Sequence, residues 1–196
     1  MHVVVGLGNP GRKYEGTRHN VGWELLAELA RRHSAQKPKL RFEAEVAEAL
    51  VGTARLLLVA PQTYMNASAR SVRQLVDFYQ LSVSNILVVC DDINLPLGKI
   101  RLRKSGTSGG QKGLENIIQH LGPNVPRLRI GVDQPPESQD SADYVLGRFR
   151  KSEFPAIDMA IRLAANAVET WIAEGVDKAM NQFNAGATRS GDTNAT

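Results

Sequence analysis

One histidine, one aspartate and two asparagines stand where a chain of this kind can do chemistry. Asn9, Asn66 and Asp91 each fall at or just after the end of an apolar, strand-like run, and His19 lies at the start of the first helical pattern. Open α/β sheets build their sites at the carboxyl ends of strands, so the four side chains can meet in one crevice. A neutral imidazole, with an ordinary pKa of about 6.5, can take a proton from water at neutral pH. A carboxylate on its other nitrogen would fix the tautomer and stabilise the imidazolium. Side-chain amides can hold a carbonyl and stabilise the oxyanion that forms on attack. Together these are the parts of a water-attacking esterase without a covalent nucleophile.

Each residue also has a structural alternative. Asn9 and Asn66 fit turn or N-cap positions. Asp91 or its neighbour Asp92 can cap a turn, and a histidine at a helix start can be a surface or capping residue. His2, His33 and His120 have weaker positional arguments and read as structural. No histidine, cysteine or acidic cluster has metal-ligand spacing, so no metal is expected. The chain has no G-x-S-x-G elbow for a serine nucleophile.

The elements that must position these groups alternate between strand and helix. Val3 to Leu7 reads as a short buried strand, followed by a polar loop to Arg18 and an amphipathic helix to about His33. The run Gln36-Lys37-Pro38-Lys39 breaks that helix. Phe42 to Val51 and Arg55 to Val59 read as strands joined by a turn at Gly52-Thr53. A loop from Pro61 to Asn66 leads into a helix with Val72, Leu75, Val76 and Tyr79 on its apolar face. Ile86 to Cys90 is a central strand ending at Asp91-Asp92, and Lys99 to Arg103 alternates like a partly exposed strand. Ser105 to Gly110 is a Gly/Ser loop opening a helix through Leu114, Ile117, Ile118 and Leu121. Arg127 to Val132 is a further strand, and Gln134 to Ser141 is a proline-containing loop. A long helix runs through Ile157, Ile161, Ala164, Val168, Trp171 and Ile172, and a shorter one from Val176 to Phe183. This pattern predicts a single α/β domain over 1–185, with a mixed sheet flanked by helices on both faces. Residues 186–196 are small or polar and read as a flexible tail.

The 196 residues suffice for one domain with a full core, at 42% hydrophobic and 22% charged. No window holds the roughly 18 apolar residues of a membrane span. The N-terminus lacks a basic region and reads as a first strand rather than a signal peptide. Cys90 is the single cysteine, so no internal disulfide can form, and its apolar run points to a small buried hydrophobe in a reducing cytosol. Net charge is +4 and the sequence pI about 9.4. Lys99, Arg101, Arg103 and Lys104 crowd one stretch, and Arg127 and Arg129 flank a later strand. Such clustering suits an anionic partner, although from charge alone a solvated basic face is the slightly favoured reading.

Gly6-Leu7-Gly8-Asn9-Pro10-Gly11 matches the G-x-G-x-x-G pattern of dinucleotide-binding loops. In that motif the third glycine opens a helix whose N-terminus holds the pyrophosphate. Here the loop continues and helical periodicity starts only near Asn20, so the glycines are expected to shape a rigid loop presenting Asn9. A nicotinamide oxidoreductase is the third-ranked reading.

The stretches VVGLGNPGRKYEGTRHNVGWELL, PQTYMNASARSV, ILVVCDDINLPLGKIRLR, SGGQKGLENII and RLRIGV resemble the bacterial peptidyl-tRNA hydrolases in long, ordered and specific motifs. The resemblance extends to about Ala185. It implies a monomeric, cytoplasmic α/β enzyme that cleaves the ester between a peptide and the 3′ ribose of tRNA without a cofactor. It further implies His19 as general base and Asp91 as the group that orients it. By the same resemblance Asn9, Tyr14, Met65 and Asn66 line the substrate crevice, and Arg103 and Arg129 clamp the tRNA 5′ phosphate. One departure stands out. Where most members carry a histidine–asparagine pair after two glycines, this chain has Gln111-Lys112. Lys112 has donors only, so it can offer a hydrogen bond to a carbonyl or phosphate of the substrate and cannot accept one. That change favours an alternative reading, a catalytically weak RNA-binding scaffold of the same fold.

Overall fold

The central strand of the sheet is β1 (His2–Gly6), which pairs in parallel with β4 (Ala54–Pro61) on one side and β5 (Ile86–Asp92) on the other. Beyond β5 lies β7 (Arg127–Gly131), also parallel. Both margins turn antiparallel: β3 (Ala44–Val51) on β4 with β2 (Lys39–Arg41) beyond it, and β6 (Ile100–Arg103) on β7. The mixed seven-stranded sheet therefore runs β2-β3-β4-β1-β5-β7-β6. The computed structural model describes residues 1–184, so the expected domain end at 185 and the expected tail lie outside the described residues.

Side chains alternate across a strand, and here both faces are covered. Val4, Leu87 and Val89 pack in one apolar cluster beneath α1 (Val21–Arg32), α5 (Phe154–Glu174) and α6 (Val176–Phe183). Val3, Val5, Val88 and Cys90 join the other cluster, beneath α2 (Ser68–Tyr79) and α3 (Lys112–Leu121). This is the expected sheet with helices on both faces. Burial on both sides explains why β1 and β5 read as unbroken apolar runs.

The glycines of the G-x-G motif serve packing. A Cβ on Gly6 would lie 2.5 Å from the Gly22 carbonyl oxygen, and one on Gly22 would lie 2.6 Å from the Leu7 nitrogen. Helix α1 thus lays its backbone directly on the end of β1. The helix begins at Val21, well past Gly11, so the loop lacks the helix N-terminus that a dinucleotide would need.

Two elements differ from expectation. The hairpin joining β2 to β3 turns at Phe42-Glu43, whose φ values are 54° and 52°. Such turns favour glycine and asparagine, so the sequence carried no turn signal, and the strand expected from Phe42 starts at Ala44. Beyond the proline-containing loop the chain forms a short helix, α4 (Ser141–Val145), started by Asp140, whose carboxylate accepts the Ala142 N–H at 2.8 Å. Five residues are too few to show a helical period.

Candidate active site

His19 sits on a 3-10 turn, Arg18–Asn20, immediately before α1. Its Nδ1 lies 2.9 Å from each oxygen of Asp91, near the carboxyl end of β5. A ring nitrogen against a carboxylate carries a proton, so in the neutral tautomer Nε2 is the acceptor. The imidazole is only 12% exposed and Asp91 is 3% exposed.

Asn20 ties this turn to the end of β1. Its Oδ1 accepts the Asn9 N–H at 2.9 Å, and its Nδ2 donates to the Asn9 carbonyl at 3.0 Å. The Asn9 side chain in turn accepts the Met65 N–H through Oδ1 at 2.8 Å. That bond settles the amide orientation and makes Nδ2 the donor of a residue that lines the crevice. Asn66 is exposed on the turn Met65–Ala67 after β4. The structural alternatives divide. Asp92 does cap a turn, accepting the Asn94 N–H at 2.8 Å, whereas Asp91 faces His19. Asn66 is not the N-cap of α2, because Ala67 holds that place.

Behind His19 lies an anchor that sequence reasoning missed. The Arg18 guanidinium, 4% exposed, reaches both oxygens of Glu153 at 2.8 Å and the Arg148 carbonyl at 2.7 Å. It stacks over the rings of Tyr144 and Phe149 at 4.4 and 4.8 Å. A buried arginine next to a candidate base has no spacing signature, since its partners lie some 130 residues away.

Gln111 was also missed as a contact, although the pair containing it stood out. It is the N-cap of α3, its Oε1 accepting the Leu114 N–H at 2.7 Å. Its Nε2 donates to Asp91 Oδ1 at 3.1 Å and lies 3.2 Å from the Met65 sulfur.

These side chains border a crevice of about 540 Å³, whose lining includes Asn9, His19, Met65, Asn66, Asp91 and Lys112. Ser141, Ala142, Val145 and Leu146 of the α4 segment form another wall. Tyr14 stands outside the residues that line this cavity, on the neighbouring 3-10 turn Arg12–Tyr14. Gly11, with φ of 111°, turns the chain between Asn9 and Tyr14, and Lys13 Nζ stands 4.7 Å above the Tyr14 ring.

A second cavity, about 240 Å³, is lined by Arg101, Arg103, Arg127, Arg129 and Asp92. Asp92 borders both cavities. The arginines are unequal. Arg127 is fully buried and donates to the carbonyls of Val125, Gly106, Thr107 and Pro123, so it holds the loop together. Burial, then the charge of Arg129, lowers the pKa of its guanidinium. Arg129 is bound to Asp92 at 2.9 Å and to the Thr107 carbonyl at 2.7 Å. Arg103 is exposed. Lys104 pairs with Asp177 instead.

The remaining titratable groups behave as structural parts. His33 meets Glu169 at 3.0 Å, and His120 meets the Asn116 carbonyl at 2.8 Å. His2 packs edge-on to Trp171, and burial, then the N-terminal charge, lowers its pKa. Burial, followed by the charge of Asp91, pushes the Cys90 thiol far above its ordinary value. Among the described residues no three histidine, cysteine or acidic side chains gather to hold a metal ion, and no helix is long and apolar enough to cross a membrane.

A family model described as peptidyl-tRNA hydrolase matches residues 3–191. A protein of Rhodopirellula baltica named peptidyl-tRNA hydrolase is 50% identical over 186 residues, covering 94% of this chain and 98% of its own. One of that name from Syntrophomonas wolfei is 46% identical over 185 residues, covering 94% and 100%. Among solved structures, peptidyl-tRNA hydrolase from Acinetobacter baumannii matches with a TM-score of 0.89 at 36% identity, covering 94% of this chain and 95% of that one.

Proposed function

The chain belongs to the peptidyl-tRNA hydrolase family, and from that premise we propose that it hydrolyses the ester joining a peptide, or an N-blocked aminoacyl group, to the 3′ ribose of tRNA. The observation that carries the reading is the His19–Asp91 pair, joined at 2.9 Å and bordering a crevice that both asparagines share. In this reading His19 Nε2 takes a proton from water as its oxygen attacks the ester carbonyl. Asp91 holds Nδ1–H and balances the imidazolium. The Asn9 Nδ2 and the Asn66 amide donate to the oxyanion. The imidazolium then returns its proton to the departing ribose 3′ oxygen, giving a peptide carboxylic acid and free tRNA. Lys112 at the crevice offers a donor to a substrate carbonyl or phosphate, and Met65 forms part of the floor.

Arg103 is the better candidate for the tRNA 5′ phosphate, being exposed on the wall of the basic cavity. Arg129 contributes positive field there while remaining bound to Asp92. The protein acts in this reading as a cytoplasmic monomer, which suits a single buried cysteine and a tRNA substrate. The chemistry draws on protein groups and water alone.

The test is release of N-blocked aminoacyl groups from tRNA by the wild type and by His19→Ala, with EDTA present. Fast release by the wild type, lowered about 10²- to 10⁴-fold in the variant, is the expected result. An inactive wild type that still binds tRNA would overturn the enzyme reading in favour of the scaffold.

A further inference from the structure

We infer that Gln111 is a positioning residue for catalysis, acting through Asp91 as the third member of a His19–Asp91–Gln111 chain; the inference rests on the hydrolase reading above. Gln111 is 9% exposed, and its amide is bonded through both the oxygen and the nitrogen. Its Oε1 is held by the Leu114 N–H, so Nε2 must be the atom that faces Asp91. One Nε2 hydrogen serves Asp91 Oδ1 and the other points to the Met65 sulfur. Asp91 Oδ1 therefore accepts from Gln111 and lies 2.9 Å from His19 Nδ1, which lies equally close to Oδ2. A carboxylate held by one partner can swivel about its Cα–Cβ and Cβ–Cγ bonds. A second donor from a different element stops that rotation and stabilises the ionised form that His19 needs.

The residue type supports this assignment. Helix N-caps favour serine, threonine, aspartate and asparagine, whose short side chains fold back on the helix. Glutamine is a poor choice for capping alone. Its extra methylene lets one amide cap α3 and still reach β5 across the crevice floor. The Ser108–Gly110 turn leads directly into this position, Gly109 and Gly110 having φ of 62° and 87°. Loop, helix start and catalytic carboxylate are thus joined by one side chain. Glutamine also brings no titration of its own, so it adds no pH-dependent charge beside Asp91.

Two variants separate positioning from helix capping. Gln111→Ser keeps a good N-cap but cannot reach Asp91. Gln111→Glu keeps the reach and the cap but sets a like charge against Asp91. Both are compared with the wild type and His19→Ala in N-blocked aminoacyl-tRNA hydrolysis across pH, alongside their unfolding midpoints. Gln111→Ser is expected to unfold near the wild-type temperature, to lose about tenfold in kcat, the effect of one hydrogen bond to a charged group, and to keep its KM. Gln111→Glu is expected to move the acid limb of kcat/KM to higher pH, because added negative charge favours the imidazolium. Wild-type kcat in Gln111→Ser together with an unmoved acid limb in Gln111→Glu would overturn the inference while leaving the His19 reading intact. An inactive wild type would overturn both.

Discussion

Replacing Gly22 by alanine tests how far the catalytic geometry depends on helix α1 resting on the sheet. The added methyl would lie 2.6 Å from the Leu7 nitrogen, 2.7 Å from the Leu7 carbonyl oxygen and 2.8 Å from the Val89 carbonyl oxygen. All three are backbone atoms of the central sheet region, and the Leu7 N–H bonds the Val89 carbonyl at 2.9 Å. No side chain can swing aside, so the helix must move outward by roughly 0.7 Å to restore ordinary contacts. Overpacking of this kind costs about 3 kcal/mol at the upper end, while alanine in place of glycine returns about 1 kcal/mol of helix propensity. The net loss of about 2 kcal/mol corresponds to a fall of roughly 4–8 °C in Tm for a chain of this size. In the proposed mechanism the displacement acts on function, because the turn carrying His19, the proposed base, immediately precedes α1. A shift approaching 1 Å at a reacting group costs up to about 10²-fold in rate. We therefore expect Gly22→Ala to lose about 10- to 100-fold in kcat at a temperature where it is fully folded. Ala27→Gly, on the exposed face of the same helix, supplies the control. It should lose about 1 kcal/mol of stability and leave kcat alone. Thermal unfolding by circular dichroism and single-turnover hydrolysis read both quantities. A Gly22→Ala variant that is more stable than the wild type and equally active would refute the argument.

Other outcomes follow from individual contacts. Glu153→Gln removes the charge facing the buried Arg18 guanidinium. It should cost about 2–3 kcal/mol, which urea unfolding would check, and lower Tm by roughly 4–12 °C. Arg103→Ala should raise KM for tRNA substrates more than it lowers kcat, with an effect that fades at high salt and an unchanged Tm. Arg129→Ala should lower Tm as well, since Asp92 loses its partner; equal kcat losses for Arg103→Ala at all salt concentrations would count against a phosphate contact. Cys90 should resist aromatic disulfide reagents at pH 8 until the protein unfolds, because burial holds the thiol protonated. Its pKa is raised in the folded state, so its contribution is fully present below the ordinary thiol range and declines above it. Cys90→Ala should therefore flatten the fall in stability above about pH 8.5, measured by urea titration.

The layers of the fold were legible because burial leaves a periodic trace. The runs at Val3 to Leu7 and Ile86 to Cys90 are apolar at every position, as strands covered on both faces must be. Helix α5 repeats its apolar residues at helical spacing over 21 residues and could hardly be missed. Local exceptions were not legible. Strand β2 has three exposed residues and a hairpin turn without glycine or asparagine. Helix α4 is shorter than two turns, and one of its ties to the rest of the fold is Arg18, far away in sequence.

By itself the sequence determined the chemical inventory: one histidine at a helix start, and an aspartate and two asparagines after strand-like runs. Residue type and strand ends carry that information, because a site in an open α/β sheet must form where strands stop. The same sequence separated the glycine motif from a dinucleotide loop, since the helix begins too late. Only the tertiary structure decided which groups have free valences. Among the arginines, it spends Arg127 on four carbonyls and Arg129 on Asp92, and it leaves Arg103 exposed. It brought Gln111 to Asp91. The reason is physical. A side chain's chemistry is local, but the use of its hydrogen bonds depends on partners that only the folded chain brings within 3 Å.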